Sequence, residues 1–160
     1  MAAGSTYTPI ATTTLGSAAA SYTFSSIPQT YTDLVLIINP NSSVDNMNYR
    51  FNSDTGTNYS STYLFGSGSS TLASRNTNAT VLNGTISGGW EILQSSIFNY
   101  SNATTYKTAI NRQSDASNYV GTNVGVWRSS AAITSITILA GGPGNIPSGA
   151  VLTLYGIQAA

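Results

Sequence analysis

The chain has 160 residues and 16.6 kDa, with five basic and five acidic residues, a formal net charge of zero, and neither cysteine nor histidine. That charge inventory gives no basic stripe to neutralise a phosphate backbone, which argues against nucleic acid as a partner. Without Cys or His there is no disulfide framework, a structural zinc site is excluded in practice, and no His- or thiol-based catalytic dyad or triad can be built.

Other classes fall away on composition. Ser, Thr and Asn supply 61 of the 160 residues, and only 6% of the chain is charged. Disordered chains are poor in aromatics and rich in charge, whereas this one is 41% hydrophobic and 10% aromatic. No window approaches the ~18 apolar residues that a membrane-spanning helix needs. Met1 to Ile10 shows neither a charged n-region nor an apolar h-region, so no secretory signal is expected, and Met1 to Tyr7 reads as a loose arm.

The dominant hydrophobic period along the chain is two, the period of strands. Ala20, Tyr22 and Phe24 alternate with Ser21, Thr23 and Ser25 until Pro28 interrupts. Asp33 to Asn39 (DLVLIIN) is a short continuous apolar run, suited to a strand buried on both faces or in the middle of a sandwich. Met47, Tyr49 and Phe51 share one face. The turn residues 54–58 follow, and Tyr59, Ser61, Tyr63 and Phe65 form the next face, so Met47 to Phe65 is predicted to be a hairpin. Gly66 to Ser70 is a loop.

The pattern weakens between residues 71 and 95, where Thr80 to Ile86 and Trp90 to Leu93 are candidate strands. Ser96 to Tyr100 and Tyr106 to Gln113 bracket a polar loop and predict a second hairpin. Val120, Thr122, Val124 and Val126 alternate with Gly121, Asn123, Gly125 and Trp127. Ile133 to Leu139 and Val151 to Ile157 close the chain on either side of the breaker residues 140–145. No segment has the helical period. Eight to ten short strands with regular turn punctuation predict an all-β fold, an antiparallel β-sandwich of jelly-roll type, in one domain over residues 1–160.

Candidate chemistry is sparse. The carboxylates are Asp33, Asp45, Asp54, Glu91 and Asp115. A glycosidase needs two of them about 5–10 Å apart, and nothing in their spacing brings a pair together, while Asp is at home in turns. Residues 54–58 offer one carboxylate and one Asn, too few oxygens for a calcium loop. We therefore expect no catalytic, cofactor or metal-binding residues. Trp127-Arg128 and the Tyr- and Asn-rich strands could stack on sugars, but large aromatic rings more often serve cores and subunit interfaces. In so uncharged a chain each arginine should have an assigned partner. Arg50, Arg75, Arg112 and Arg128, with Trp127 and Tyr7, are the candidate interface residues. A surface of hydroxyls and amides, without interspersed charge, suits a protein that works packed inside an assembly.

The segments Ser25 to Leu36, RFNSDTGTNYSSTYLFGSGSS from Arg50 to Ser70, TNVGVWRSSAAITSITIL from Thr122 to Leu139, and IPSGAVLTLYGI from Ile146 to Ile157 carry a resemblance. They are similar to a widespread family of small virion proteins of tailed bacteriophages, in particular phages of cyanobacteria and other aquatic bacteria. The resemblance covers most of the chain and is weakest between Thr71 and Ala103. It implies a β-sandwich structural protein of the virion and brings no catalytic residue with it. The expected role is a capsid decoration or cement protein on the outer capsid surface, made in the host cytoplasm. Its partners would be the phage major capsid protein and copies of itself, a trimer being one arrangement open to it, with neither nucleic acid nor membrane. The alternative is a tail-fibre or appendage tip domain that binds a host glycan.

Overall fold

The computed structural model describes residues 6–41, 46–84, 92–115 and 119–158. Within them the chain forms twelve strands and no helix: β1 (Tyr7–Thr14), β2 (Ser21–Phe24), β3 (Asp33–Asn39), β4 (Met47–Phe51), β5 (Tyr59–Gly66), β6 (Thr71–Ala79), β7 (Leu82–Asn83), β8 (Ile92–Phe98), β9 (Lys107–Asp115), β10 (Tyr119–Trp127), β11 (Ile136–Ala140) and β12 (Val151–Ile157). All ladders are antiparallel. They make an eight-stranded sheet ordered β1-β12-β3-β8-β9-β10-β5-β6 and a four-stranded sheet ordered β2-β11-β4-β7.

The jelly roll is visible once four strands are set aside. Without β5, β6, β9 and β10, the pairs β4·β7, β3·β8, β2·β11 and β1·β12 nest inside one another. The wrapped pairs β11·β4 and β12·β3 then close two four-stranded sheets, the connectivity of a jelly roll. The other four strands are additions. β9 and β10 form a hairpin on the edge of β8, and β5 and β6 continue the same sheet outward.

The core lies between the sheets. Leu34, Leu36 and Ile38 of β3 point inward, as do Leu152 and Leu154 of β12 and Leu93 and Ile97 of β8. They meet Met47, Tyr49 and Phe51 of β4 with Ile136 and Ile138 of β11. On the outer face of β3 Val35 is also buried, but Asp33 and Ile37 are half-buried, so the strand is closed fully on its inner side and in part on the other. Close approach needs small residues at two places. A Cβ on Gly125 would lie 2.6 Å from a methyl of Leu82, and a Cβ on Gly156 would enter the ring of Tyr31.

Four sequence expectations need correction. The strand count is twelve rather than eight to ten. Tyr7 is not part of an arm: it opens β1, whose partner β12 is matched from Tyr7↔Ile157 to Thr14↔Val151; residues 1–5 lie outside the described residues. Ile92 and Leu93, from the first of two expected strands, and Ser96 to Phe98, from the second, belong to one continuous β8 that runs from Ile92 to Phe98; Trp90 and Glu91 lie outside the described residues. Met47 to Phe65 is a corner and not a hairpin. β4 belongs to the small sheet and β5 to the large one, and consecutive positive φ angles at Asn52 (52°) and Ser53 (55°) swing the chain between them. The second predicted hairpin is present as β8 and β9.

Candidate assembly interface

The added hairpin β9–β10 is polar on the inside and apolar on the outside. Its inward positions include the buried Lys107, Asn111, Gln113, Asp115 and Asn123. Its outward positions include Ile110, Val120, Val124 and Val126. Two of the inward amides, Asn111 and Asn123, are held in a network with the small sheet, while Gln113 Oε1 is buried without a hydrogen-bond partner. Tyr49 donates its hydroxyl to Asn111 Oδ1 at 2.8 Å and lies 2.8 Å from Ser95 Oγ. Asn111 Nδ2 donates to Asn123 Oδ1 (2.6 Å) and to the Asn83 carbonyl (3.1 Å), and Asn123 Nδ2 donates to the Asn83 and Gly84 carbonyls. Burial pushes the Tyr49 phenol up to about 12, against the lowering effect of its bonds to Ser95 and Asn111. Lys107 is lowered by burial, its Nζ donating to the Thr105 and Ser130 carbonyls. Polar groups buried with partners cost little, so the hairpin can afford an inward amide face and free its apolar residues for the other side.

Those residues join a larger surface. The ladder places Gln94, Arg112, Thr122 and Leu64 in one row across the outer face, with Ile37 on one side and Ala73 on the other. The next row holds Tyr155, Val35, Ser96, Ile110, Val124, Thr62 and Arg75. Val120 is 66% exposed, Leu64 57%, Ile92 50% and Val124 45%. A groove of about 900 Å³ is sunk into this face, with Leu64, Ile92, Val120 and Arg112 in its lining. Isolated exposed apolar residues are ordinary, but a contiguous patch of this kind marks a docking surface. The outer face of the small sheet is different: it presents Ser21, Thr23, Arg50 and Thr137, and the Thr23 and Thr137 hydroxyls are 3.0 Å apart.

The candidate interface residues divide. Tyr7, Arg75 and Arg112 stand exposed on the large sheet; Tyr7 packs edge-on to Tyr155 at 6.2 Å between ring centroids. Arg112 has no hydrogen-bond or ion-pair partner among the described residues. Arg50 lies on the small sheet, half-buried, with its Nε buried and unpaired. Arg128 is occupied by its own chain, donating from Nη2 to the Thr57 carbonyl at 2.7 Å and lying within reach of the Tyr59 carbonyl and Asn78 Oδ1. Trp127 is not an interface residue. It is 2% exposed and packs on Phe51 and Tyr59, because β10 ends where the two sheets meet. Ile110, Val120 and Val124 are the surface residues that sequence reasoning missed. The signal was present in the alternation of β10 but its phase was not, since valine and asparagine compete for the same inward positions.

The carboxylates occupy separate places. Asp33 begins β3 and accepts the Asn99 N–H at 2.6 Å, Asp54 sits in the β4–β5 corner, and Asp115 is buried at the end of β9. Asp45 and Glu91 lie outside the described residues. Among the described residues no three His, Cys, Asp or Glu side chains cluster as a metal site would require, and no helix is long and apolar enough to cross a membrane.

The fold and this surface define an all-β sandwich of jelly-roll connectivity with an extended, apolar outer sheet. No family model matches the chain, and no curated protein matches it. Among solved structures it is similar to an exo-inulinase from Aspergillus awamori, at 12% identity and a TM-score of 0.40, over 94% of this chain and 29% of that one.

Proposed function

We propose that this chain is a non-enzymatic structural protein of a bacteriophage virion, and within the virion a capsid decoration protein that binds the major capsid lattice and stabilises it. The observation that supports this reading is the apolar, charge-poor outer face of the large sheet. A free monomer gains nothing by exposing Leu64, Ile92, Val120 and Val124 side by side. A subunit of an assembly covers them, and many symmetry-related copies multiply a modest contact into a stable shell.

The binding should rest on apolar contact, hydrogen bonds and few charges. Screening beyond about 8 Å at physiological salt therefore removes little of it. The test mixes purified protein with undecorated capsids in dilute buffer and in about 1 M salt. Saturating, salt-resistant binding that raises the capsid melting temperature supports decoration, because a ligand of the assembled state stabilises that state. Absence of capsid binding, combined with specific binding to host cells or glycan, would overturn it in favour of the tail-tip role.

A further inference from the structure

The groove in the large sheet is lined by two adjacent rows that cross five strands, from Ile92 and Gln94 on β8 to Thr71 and Ala73 on β6. Four strand spacings of ~4.8 Å make it roughly 19 Å long, and the rows stand ~7 Å apart, two residues along each strand. Leu64 and Val120, both more than half exposed, make it apolar. Gly66 leaves it bare between them: a Cβ there would find open space, its nearest neighbour the Ser70 carbonyl at 3.9 Å. The aromatic residue of the lining, Phe65, has the opposite phase in β5 and packs edge-on to Tyr119 at 5.7 Å between ring centroids. No ring is therefore offered to a sugar or a base.

The charges around the groove have one sign. Arg112 lies within it, and Arg75 stands in the next row at its β6 end. Both are exposed, and neither has a hydrogen-bond or ion-pair partner among the described residues. The ladder sets them three strands and two residues apart, roughly 16 Å. Among the described residues no carboxylate lines the groove. Asp33 begins β3, outside it, and accepts the Asn99 N–H; Asp54 sits in the β4–β5 corner; Asp115 is buried on the inner side.

We propose that the groove receives an extended, acidic and apolar segment on the outer surface of the major capsid protein. At ~3.4 Å per residue, about six residues of it lie along the groove, across the strands. Its apolar side chains rest on Leu64 and Val120, and it brings one carboxylate to Arg112 and another to Arg75. The inference rests on the decoration reading in taking the capsid as the partner, and adds the chemistry by which that partner is recognised.

Three features select this occupant. Two arginines without a counter-charge call for an anionic partner, yet two are too few for a nucleic acid, whose binding grows with each phosphate neutralised. A lining only two rows wide suits an extended chain, whereas a helix with its side chains is about 10–12 Å across. Guanidinium forks bind carboxylates bidentately. Such pairs, closed off among apolar side chains, are screened little by salt, in keeping with binding that resists it.

The experiment measures the affinity of the full chain for undecorated capsids, with each variant's fold checked by circular dichroism. Arg112→Glu and Arg75→Glu, at exposed positions, should each weaken binding at least about 10-fold. Gly66→Phe, which fills the groove where a Cβ fits, should do the same. Ser21→Glu, on the exposed face of the small sheet, should leave binding unchanged. On capsids whose surface carboxylates have been amidated, Arg112→Glu should bind as tightly as wild type, because the charge it opposes is gone. If Gly66→Phe does not fold, the arginine variants carry the test. Three results overturn the inference while leaving decoration standing: undiminished binding by any of the three groove variants, equal weakening by Ser21→Glu, or an Arg112→Glu defect that persists on amidated capsids. A wild type that ignores capsids overturns decoration, and the inference with it.

Discussion

The indole Nε1–H of Trp127 donates to Asp54 Oδ2 at 2.7 Å, tying the end of β10 to the corner between β4 and β5, 73 residues earlier in the chain. The same carboxylate accepts Asn58 Nδ2 at 2.9 Å and the Gly56 N–H at 2.8 Å. The Trp127 ring stacks on Tyr59, 6.3 Å between centroids and 15° between planes. Asp54 thus holds the corner where the chain passes from the small sheet to the large one.

Burial pushes the Asp54 carboxyl up, but the bonds from Trp127, Asn58 and Gly56 and the charge of Arg50 outweigh it and hold the group below its usual range. A carboxylate lowered in the folded state binds its proton more readily when unfolded. Its stabilisation is therefore complete above the unfolded value of about 3.9 and is lost as pH falls through the folded value. Asp54→Asn should cost about 1–2 kcal/mol at pH 7, since the corner is partly solvated. Thermal melts of wild type and variant should converge as pH is lowered from 7 to 2. Parallel curves would show that the charge on Asp54 contributes nothing.

The phenols predict a second pH dependence, at the alkaline end. Tyr49 is pushed up to about 12 by burial, as is Tyr59. An acid raised in the folded state ionises first in the unfolded chain, so stability should decline as pH rises above about 10. In a spectrophotometric titration these two of the ten tyrosines should ionise late or only with unfolding.

Tyr49→Phe removes a donor to Asn111 and the partner of Ser95 in a site closed to water. Leaving such groups unsatisfied costs about 1–3 kcal/mol. Urea denaturation should show that loss in midpoint with an unchanged slope. A neutral result would mean that the amide network rearranges freely.

Leu36 is fully buried between the sheets. Leu36→Ala should destabilise by about 2–5 kcal/mol, depending on how far the site collapses. Leu36→Asp should not fold, because an unpaired buried charge costs several kcal/mol. Normal expression and melting of the aspartate variant would show that β3 has been assigned the wrong face.

Adjacent residues of β9 provide the sharpest check of the hairpin's polarity. Ala109 is fully buried and faces inward, while Ile110 faces outward. Ala109→Asp should unfold the chain. Ile110→Asp should leave the isolated chain's stability within about 0.5 kcal/mol, measured at protein concentrations low enough to exclude association.

The period-two pattern in 20–25, the apolar run of β3 and the Gly- and Asn-rich turns were enough to determine an all-β sandwich, because alternation and turn chemistry are local properties. The segment 33–39 also declared a buried strand, whereas Trp127, expected at an interface, was placed in the core only by the tertiary structure. What the local pattern could not settle was which strands pair, since pairing depends on residues distant in the chain. Only the tertiary structure turned Met47 to Phe65 from a hairpin into a corner and added β9–β10 and β5–β6 to the edge of a jelly roll. It also decided the phase of β10. Val124 and Asn123 are neighbours in an alternating strand, and hydropathy alone would bury the valine. Asn123 is inside because Asn111, Asn83 and Gly84 satisfy it there, and that network, made by strands far apart in sequence, is what sends the valines to the surface.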